Sequence, residues 1–160
     1  MVFLLFGDTM KKLTCILLCL VLSFGAWGVP ATAQSSSPLP TLSITLEKGT
    51  QVYEITKEEQ TPATFSMVGQ GLEPMENLPI TIKGRGNSTW KLPKKPYQIK
   101  FDSKTDLLGM GKAKKWILLA NYWDKTHLRN AITYRLANKM NEIFSVQCEF
   151  VDVVMNGQYQ

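Results

Sequence analysis

Ile82-Lys83-Gly84-Arg85-Gly86-Asn87-Ser88-Thr89-Trp90, followed by Pro93-Lys94-Lys95-Pro96-Tyr97-Gln98-Ile99-Lys100-Phe101, is the stretch that decides the fold. Ile80 to Lys83 alternates apolar and polar residues, the period of a half-buried strand. Tyr97, Ile99 and Phe101 alternate with Gln98 and Lys100 in the same way. Between the two, Gly84 and Gly86 permit close approach and a left-handed backbone. Asn87, Ser88 and Thr89 add short polar groups that bond to local backbone or to an oxyanion. Pro93 and Pro96 stiffen the return. A strand, a Gly-Arg-Gly turn, a basic linker and a second strand can hold phosphate oxygens between backbone N–H, guanidinium and ammonium groups. Spacing alone favours a plainer reading, a tight turn with a solvated basic face. Thr89 stands where a third glycine of a dinucleotide fingerprint would fall, and no Walker-type Gly-Lys-Ser/Thr is present.

Charge is concentrated here. Ten Lys and Arg lie between Lys83 and Lys115, against Asp102 and Asp106 alone, in a chain whose formal net charge is +5. Such a block implies an anionic partner or a mutually repelling, solvated surface. Trp90, Tyr97 and Trp116 nearby keep a polyanion binder in view.

Outward from this block, Leu42 to Leu46 alternates as a strand, Gln51 to Thr56 reads as a second and Thr64 to Val68 as a third. Glutamates make this segment acidic. After Phe101 the chain to Lys115 reads as a glycine-containing loop anchored by Leu107 and Leu108. Trp116 to Ala120 is a continuous apolar run, which predicts a central strand covered on both faces. Asp124 reads as a helix N-cap. Leu128, Ile132, Leu136 and Met140 recur every four residues and predict one buried helical stripe, with Arg129 and Arg135 off it. Glu149 to Met155 alternates again, and Asn156-Gly157 is a strong hairpin signal. Only Gln158 to Gln160 follow, so the pattern predicts a half-made hairpin, an apolar strand short of partners and a chain that is the front part of a longer protein. These elements add up to an α+β chain, mostly antiparallel β-sheet with one main amphipathic helix.

The N-terminus reads as targeting. Lys11 and Lys12 precede the apolar run Leu13 to Trp27, and Ala31-Thr32-Ala33 is a small-x-small cleavage site. Residues 1–33 are therefore expected to be a signal peptide, with Met10 the natural start, cleaved before Gln34. The run is short for a membrane span, and Leu18 before Cys19 argues against a lipid anchor. Residues 34–41 form a Ser/Pro-rich linker. Cleavage would leave Cys148 as the only cysteine, excluding an internal disulfide, and with His127 the only histidine a Cys/His metal site is unsupported. Cys148 reads as a small buried hydrophobe.

The blocks Ile82 to Trp90, Pro93 to Phe101, Leu107 to Gly109, Trp116 to Tyr122, Asp124, Leu128 to Asn130 and Val151 to Tyr159 resemble, in order, the CotH kinase family of spore-coat-protein-H-like secreted atypical protein kinases. The resemblance implies the N-terminal part of an atypical protein-kinase-like fold over residues 77–160, behind a β-rich extension at 42–76. It implies an exported phosphotransferase using ATP and Mg²⁺ or another divalent cation on Ser/Thr of secreted or cell-envelope proteins. The catalytic and metal-binding carboxylates are then expected beyond Gln160, leaving these residues inactive alone, because phosphoryl transfer needs the metal and a positioning residue. Nucleotide-binding candidates are Arg85, Gly86, Asn87 and Ser88, with Lys95 or Lys100 as the strand cation; Asp124 and Arg129 are weaker ones. No nucleic-acid partner and no stable membrane span after leader cleavage are expected. A non-catalytic cell-surface binding or adhesion module of the same fold is the alternative, and a polyanion binder another.

Overall fold

The computed structural model describes residues 2–6, 38–140 and 146–160. Its strands are β1 (Val2–Phe6), β2 (Thr41–Leu46), β3 (Thr61–Val68), β4 (Met75–Gly84), β5 (Tyr97–Asp106), β6 (Lys112–Leu119), β7 (Gln147–Met155) and β8 (Gln158–Tyr159), with one α-helix, α1 (Arg129–Lys139). All eight strands belong to one sheet in the order β1-β6-β5-β4-β3-β2-β7-β8. The sheet curls until β1 pairs with both β6 and β7. Pairing is antiparallel except for β2 with β7. The architecture is thus α+β with a mixed sheet, close to the antiparallel expectation.

Period-2 alternation explains which face is inside. Leu42, Ile44, Phe65, Ile82, Ile99, Trp116, Leu118, Val151 and Met155 are all buried on the concave side in one cluster. Phe65 and Phe101 meet edge to face at 5.1 Å. Each such side chain contributes about 1.5–3 kcal/mol by leaving water. β2 and β3 share this sheet and core with β4 to β7, and β4 runs through the boundary expected between residues 76 and 77.

Several expectations are corrected. Residues 51–56 are not a strand: Val52–Glu54 is a 3-10 turn, closed by the Glu54 carboxylate accepting from the Gln51 N–H at 2.6 Å. The chain after Phe101 is not a loop throughout, because β5 continues to Asp106 and pairs it with Lys112. Val151, Val153 and Met155 are buried rather than short of partners, since β2 lies along one edge of β7 while β8 and β1 share the other. Val2–Phe6, expected within the leader, is a strand. The remainder of the expected leader, with Cys15 and Cys19, and Gln34 to Ser37 of the linker lie outside the described residues. Among the described residues no helix is long and apolar enough to cross a membrane.

The helix differs most. Leu128, Ile132, Leu136 and Met140 are exposed, Ile132 by 61% and Met140 by 63%. α1 instead rests on Ala131, which packs with Cys148, Leu119, Tyr134 and Phe150 on the convex side of β6 and β7. Polar contacts fix that rotation. Asn138 Nδ2 donates to the Val146 carbonyl at 2.9 Å, and Arg135 reaches Glu149 at 3.3 Å. Alanine allows the close approach that the larger apolar residues would block.

Candidate functional site: a basic convex face with a cleft at its rim

Residues of β4 to β6 that do not enter the core form a grid on the convex face. Lys83 lies opposite Gln98, Thr81 opposite Lys100, Lys100 opposite Lys115, and Gln98 opposite Ile117. The Arg85 N–H donates to the Pro96 carbonyl at 3.1 Å, extending the ladder by one pair into the loop. Alternation therefore puts Arg85, Lys83, Lys100 and Lys115 around Pro96, Gln98 and Ile117 on one face. Like charges directly across strands repel. An anion bound among them would relieve that repulsion.

The Gly-rich turn is built by packing. Trp90 lies across Gly84, whose missing Cβ leaves room for the indole ring. Trp90 also meets Tyr97 edge to face at 5.8 Å. Gly86 has φ +89°, and the Thr89 hydroxyl occupies the place of a Cβ. Asn87 and Ser88 stand exposed at the tip. Lys95 sits with its ammonium 4.6 Å from the Trp90 ring centroid, a cation–π contact. Lys95 and Lys100 thus point to opposite faces, and Lys100 alone of the two shares its face with Arg85.

At the rim of that face a cleft of about 290 Å³ opens between the β4–β5 connection and the start of α1, lined by Thr89, Lys94, Pro96, Leu119, Asn121 and Asn130 among others. Its size lies at the small end of ligand pockets, which run from roughly 300 to 1,000 Å³. Pro96 lies four residues from Lys100, about 13 Å along an extended strand. Asn121 adopts a left-handed φ of 48° and accepts from Asn130 Nδ2 at 2.9 Å. Its own Nδ2 is buried with no hydrogen-bond partner among the described residues. An unsatisfied buried donor costs about 1–3 kcal/mol.

Asp124 and Arg129 border the same cleft. The Asp124 carboxylate is committed locally: it accepts from the Thr126 hydroxyl at 2.7 Å, the Thr126 N–H at 3.2 Å and the Arg129 N–H at 2.9 Å. These bonds, the Thr126 hydroxyl first, hold its pKa below the usual carboxylate value. Its capping role holds in part, because the bond to a first-turn N–H is present but α1 begins five residues later, at Arg129. Burial, then the nearby Lys94 charge, push the His127 imidazole below its usual range, against a smaller opposing pull from Asp124. Sequence reasoning missed Lys83, Lys115, Asn121 and Asn130. The first two were legible from strand parity, and the asparagine pair was not.

The residues present do not fit a divalent cation. Among the described residues no group of three or more His, Cys, Asp or Glu side chains comes together. Asp124 is occupied as above, and Asp152 accepts from the Tyr159 hydroxyl at 2.8 Å.

Fold and site define a curled β-sheet domain with a basic convex face. Comparison with known families adds one finding: residues 82–160 match the family described as CotH kinase protein. The match runs from the strand before the Gly-rich turn to the final hairpin, while β2 and β3 precede it. No curated protein matches the chain.

Proposed function

We propose that this chain supplies the nucleotide-holding sheet of a CotH-type phosphotransferase, with the phosphates of ATP lying on the convex face of β4 to β6. The observation that carries the reading is the register that brings Arg85, Lys83, Lys100 and Lys115 onto one face beside the cleft, within the segment that matches a kinase family. Arg85 offers a guanidinium fork and the lysines point charges, the usual complement of phosphate oxygens. The ribose or base would lie in the cleft that Thr89, Asn121 and Asn130 line. The metal and the group that positions the acceptor hydroxyl come from elsewhere in the active enzyme, since these residues hold no cation site. Acceptors are Ser/Thr of proteins outside the cytoplasm, a reading supported by Lys11-Lys12, the apolar run and Ala31-Thr32-Ala33.

The test is ATP binding measured calorimetrically with and without Mg²⁺. One charge-assisted contact contributes roughly 1.5–3 kcal/mol, so Arg85→Ala and Lys100→Met should each weaken ATP about ten- to a hundredfold. Lys104→Ala, on the exposed far end of β5, should change little. Parent-like affinity in both variants refutes the reading. A second reading, binding of polyanions without nucleotide selectivity, draws on exposed Tyr122 and Trp123 beside the cleft. Affinity that ignores nucleotide identity and falls steeply with salt would favour it.

A further inference from the structure

β7 has two edges, and their occupants run differently. β2 lies parallel along one, and Pro40 just before it accepts from the Asp152 N–H at 2.8 Å. Along the other, β8 pairs antiparallel, with Tyr159 opposite Val154 and the Gln160 N–H donating to the Val153 carbonyl at 2.9 Å. β1 follows in line: Val2 lies opposite Val151, Leu4 opposite Glu149 and Phe6 opposite Gln147. Only Asp152 and Val153 separate the two along β7. β1 and β8 therefore share one lane and one direction. The far side of that lane is β6, with Phe3 opposite Leu119 and Leu5 opposite Ile117.

We propose that the lane between β6 and β7 is an exchangeable strand site, held in this chain by Val2–Phe6 and able to take an extended apolar peptide of the same kind in its place. Both walls are strand edges, and neighbouring strands stand about 4.8 Å apart, so the lane admits one strand. That strand must run antiparallel to β6 and β7 at once. Vacant, it would leave two rows of unpaired N–H and C=O groups, the arrangement that recruits another strand by main-chain hydrogen bonding. Val-Phe-Leu-Leu-Phe has the apolar, strand-favouring composition for it. The expected cut after Ala33 falls between β1 and β2, so processing there would turn a tethered strand into one held by pairing alone. The device is independent of the nucleotide reading, because neither Arg85 nor Lys100 lies in the lane.

The experiment follows amide hydrogen exchange in the full chain and in Leu4→Pro, whose proline sits mid-ladder and removes a donor. Exchange at Ile117, Leu119, Glu149 and Val151, whose N–H groups face the lane, should accelerate at least tenfold, with Phe65 and Ile99 unchanged. Adding the peptide Lys-Val-Phe-Leu-Leu-Phe-Lys should restore protection, and the same peptide with a central proline should not. Unchanged protection in Leu4→Pro, or no restoration, overturns the proposal. Should Leu4→Pro lose protection everywhere, the unaltered chain decides. A nitroxide-tagged peptide at millimolar concentration should broaden the Ile117 and Cys148 resonances, and their staying sharp overturns exchange.

Discussion

Rotation of α1 can be tested by three substitutions that the apolar periodicity and the structure rank in opposite orders. Ala131 is 3% exposed and packs between Cys148, Leu119 and Phe150. Ala131→Leu forces additional carbon atoms into that contact, and overpacking of this kind costs about 1–3 kcal/mol. Ile132 is 61% exposed and Leu136 55%. Full truncation of a buried Ile or Leu costs about 2–5 kcal/mol, so with less than half of each side chain covered the loss is roughly 1 kcal/mol. Alanine's better helix propensity returns a few tenths of that, to at most about 0.7 kcal/mol. Ile132→Ala and Leu136→Ala should therefore move stability by no more than about 0.5–1 kcal/mol. Urea unfolding read by tryptophan fluorescence, with Trp116 in the core as reporter, measures all three. Circular dichroism should give coincident transitions. If Ile132→Ala costs more than about 2 kcal/mol while Ala131→Leu is neutral, the stripe faces inward and the placement of Asn130 against Asn121 falls with it.

Two further outcomes follow from the turn and the cleft. Because the folded state lowers the pKa of His127, the unfolded chain binds that proton more readily, and stability should fall as pH drops below about 6.5. His127 is the only histidine, so His127→Gln should flatten the urea midpoint between about pH 6.5 and 5, and an unaltered slope would assign the acid sensitivity to other groups. In Gly84→Ala the added Cβ overlaps the Trp90 ring, which should cost about 1–3 kcal/mol and shift tryptophan emission, whereas a parent-like spectrum and midpoint would show that Trp90 does not cover the turn.

Alternation made most of the sheet legible. β2, β3, β4, β5 and β7 each contain the strand that the period predicts, and Asn156-Gly157 forms its hairpin with φ of 48° and 79°. What was missed has local causes. Asp102 to Asp106 is polar, yet Thr105 and Asp106 pair with β6, and ladder hydrogen bonds need no apolar side chains; Asp106 also accepts from the Gly111 N–H at 3.2 Å. Val52–Glu54 has strand-favouring residues, but Glu54 reaches back to Gln51 and closes a turn. The four-residue spacing in α1 marked an apolar stripe without revealing what it faces. Asn121 and Asn130 meet only because the end of β6 and the start of α1 converge, a tertiary fact with no signature in either local sequence.

The basic block is tolerable because of where the sheet puts it. Ten cations within a short stretch would be costly if any entered the core, where a charge must be paired or neutralised. Strand parity prevents this: the even positions of β4 (Ile80, Ile82, Gly84) and the odd positions of the first half of β5 (Tyr97, Ile99, Phe101) are buried, while Lys83, Lys100 and Lys115 stand on the other side. The same partition separates stability from ligand binding. Substitutions at Lys83, Lys100 or Lys115 remove repulsion and no core contact, so they should leave the fold as stable or more so while lowering anion affinity. At Lys95, seated on Trp90, the two effects cannot be separated in this way. A phosphate site on the convex face can therefore be dissected by charge without disturbing the turn that Gly84, Gly86 and Trp90 build beneath it.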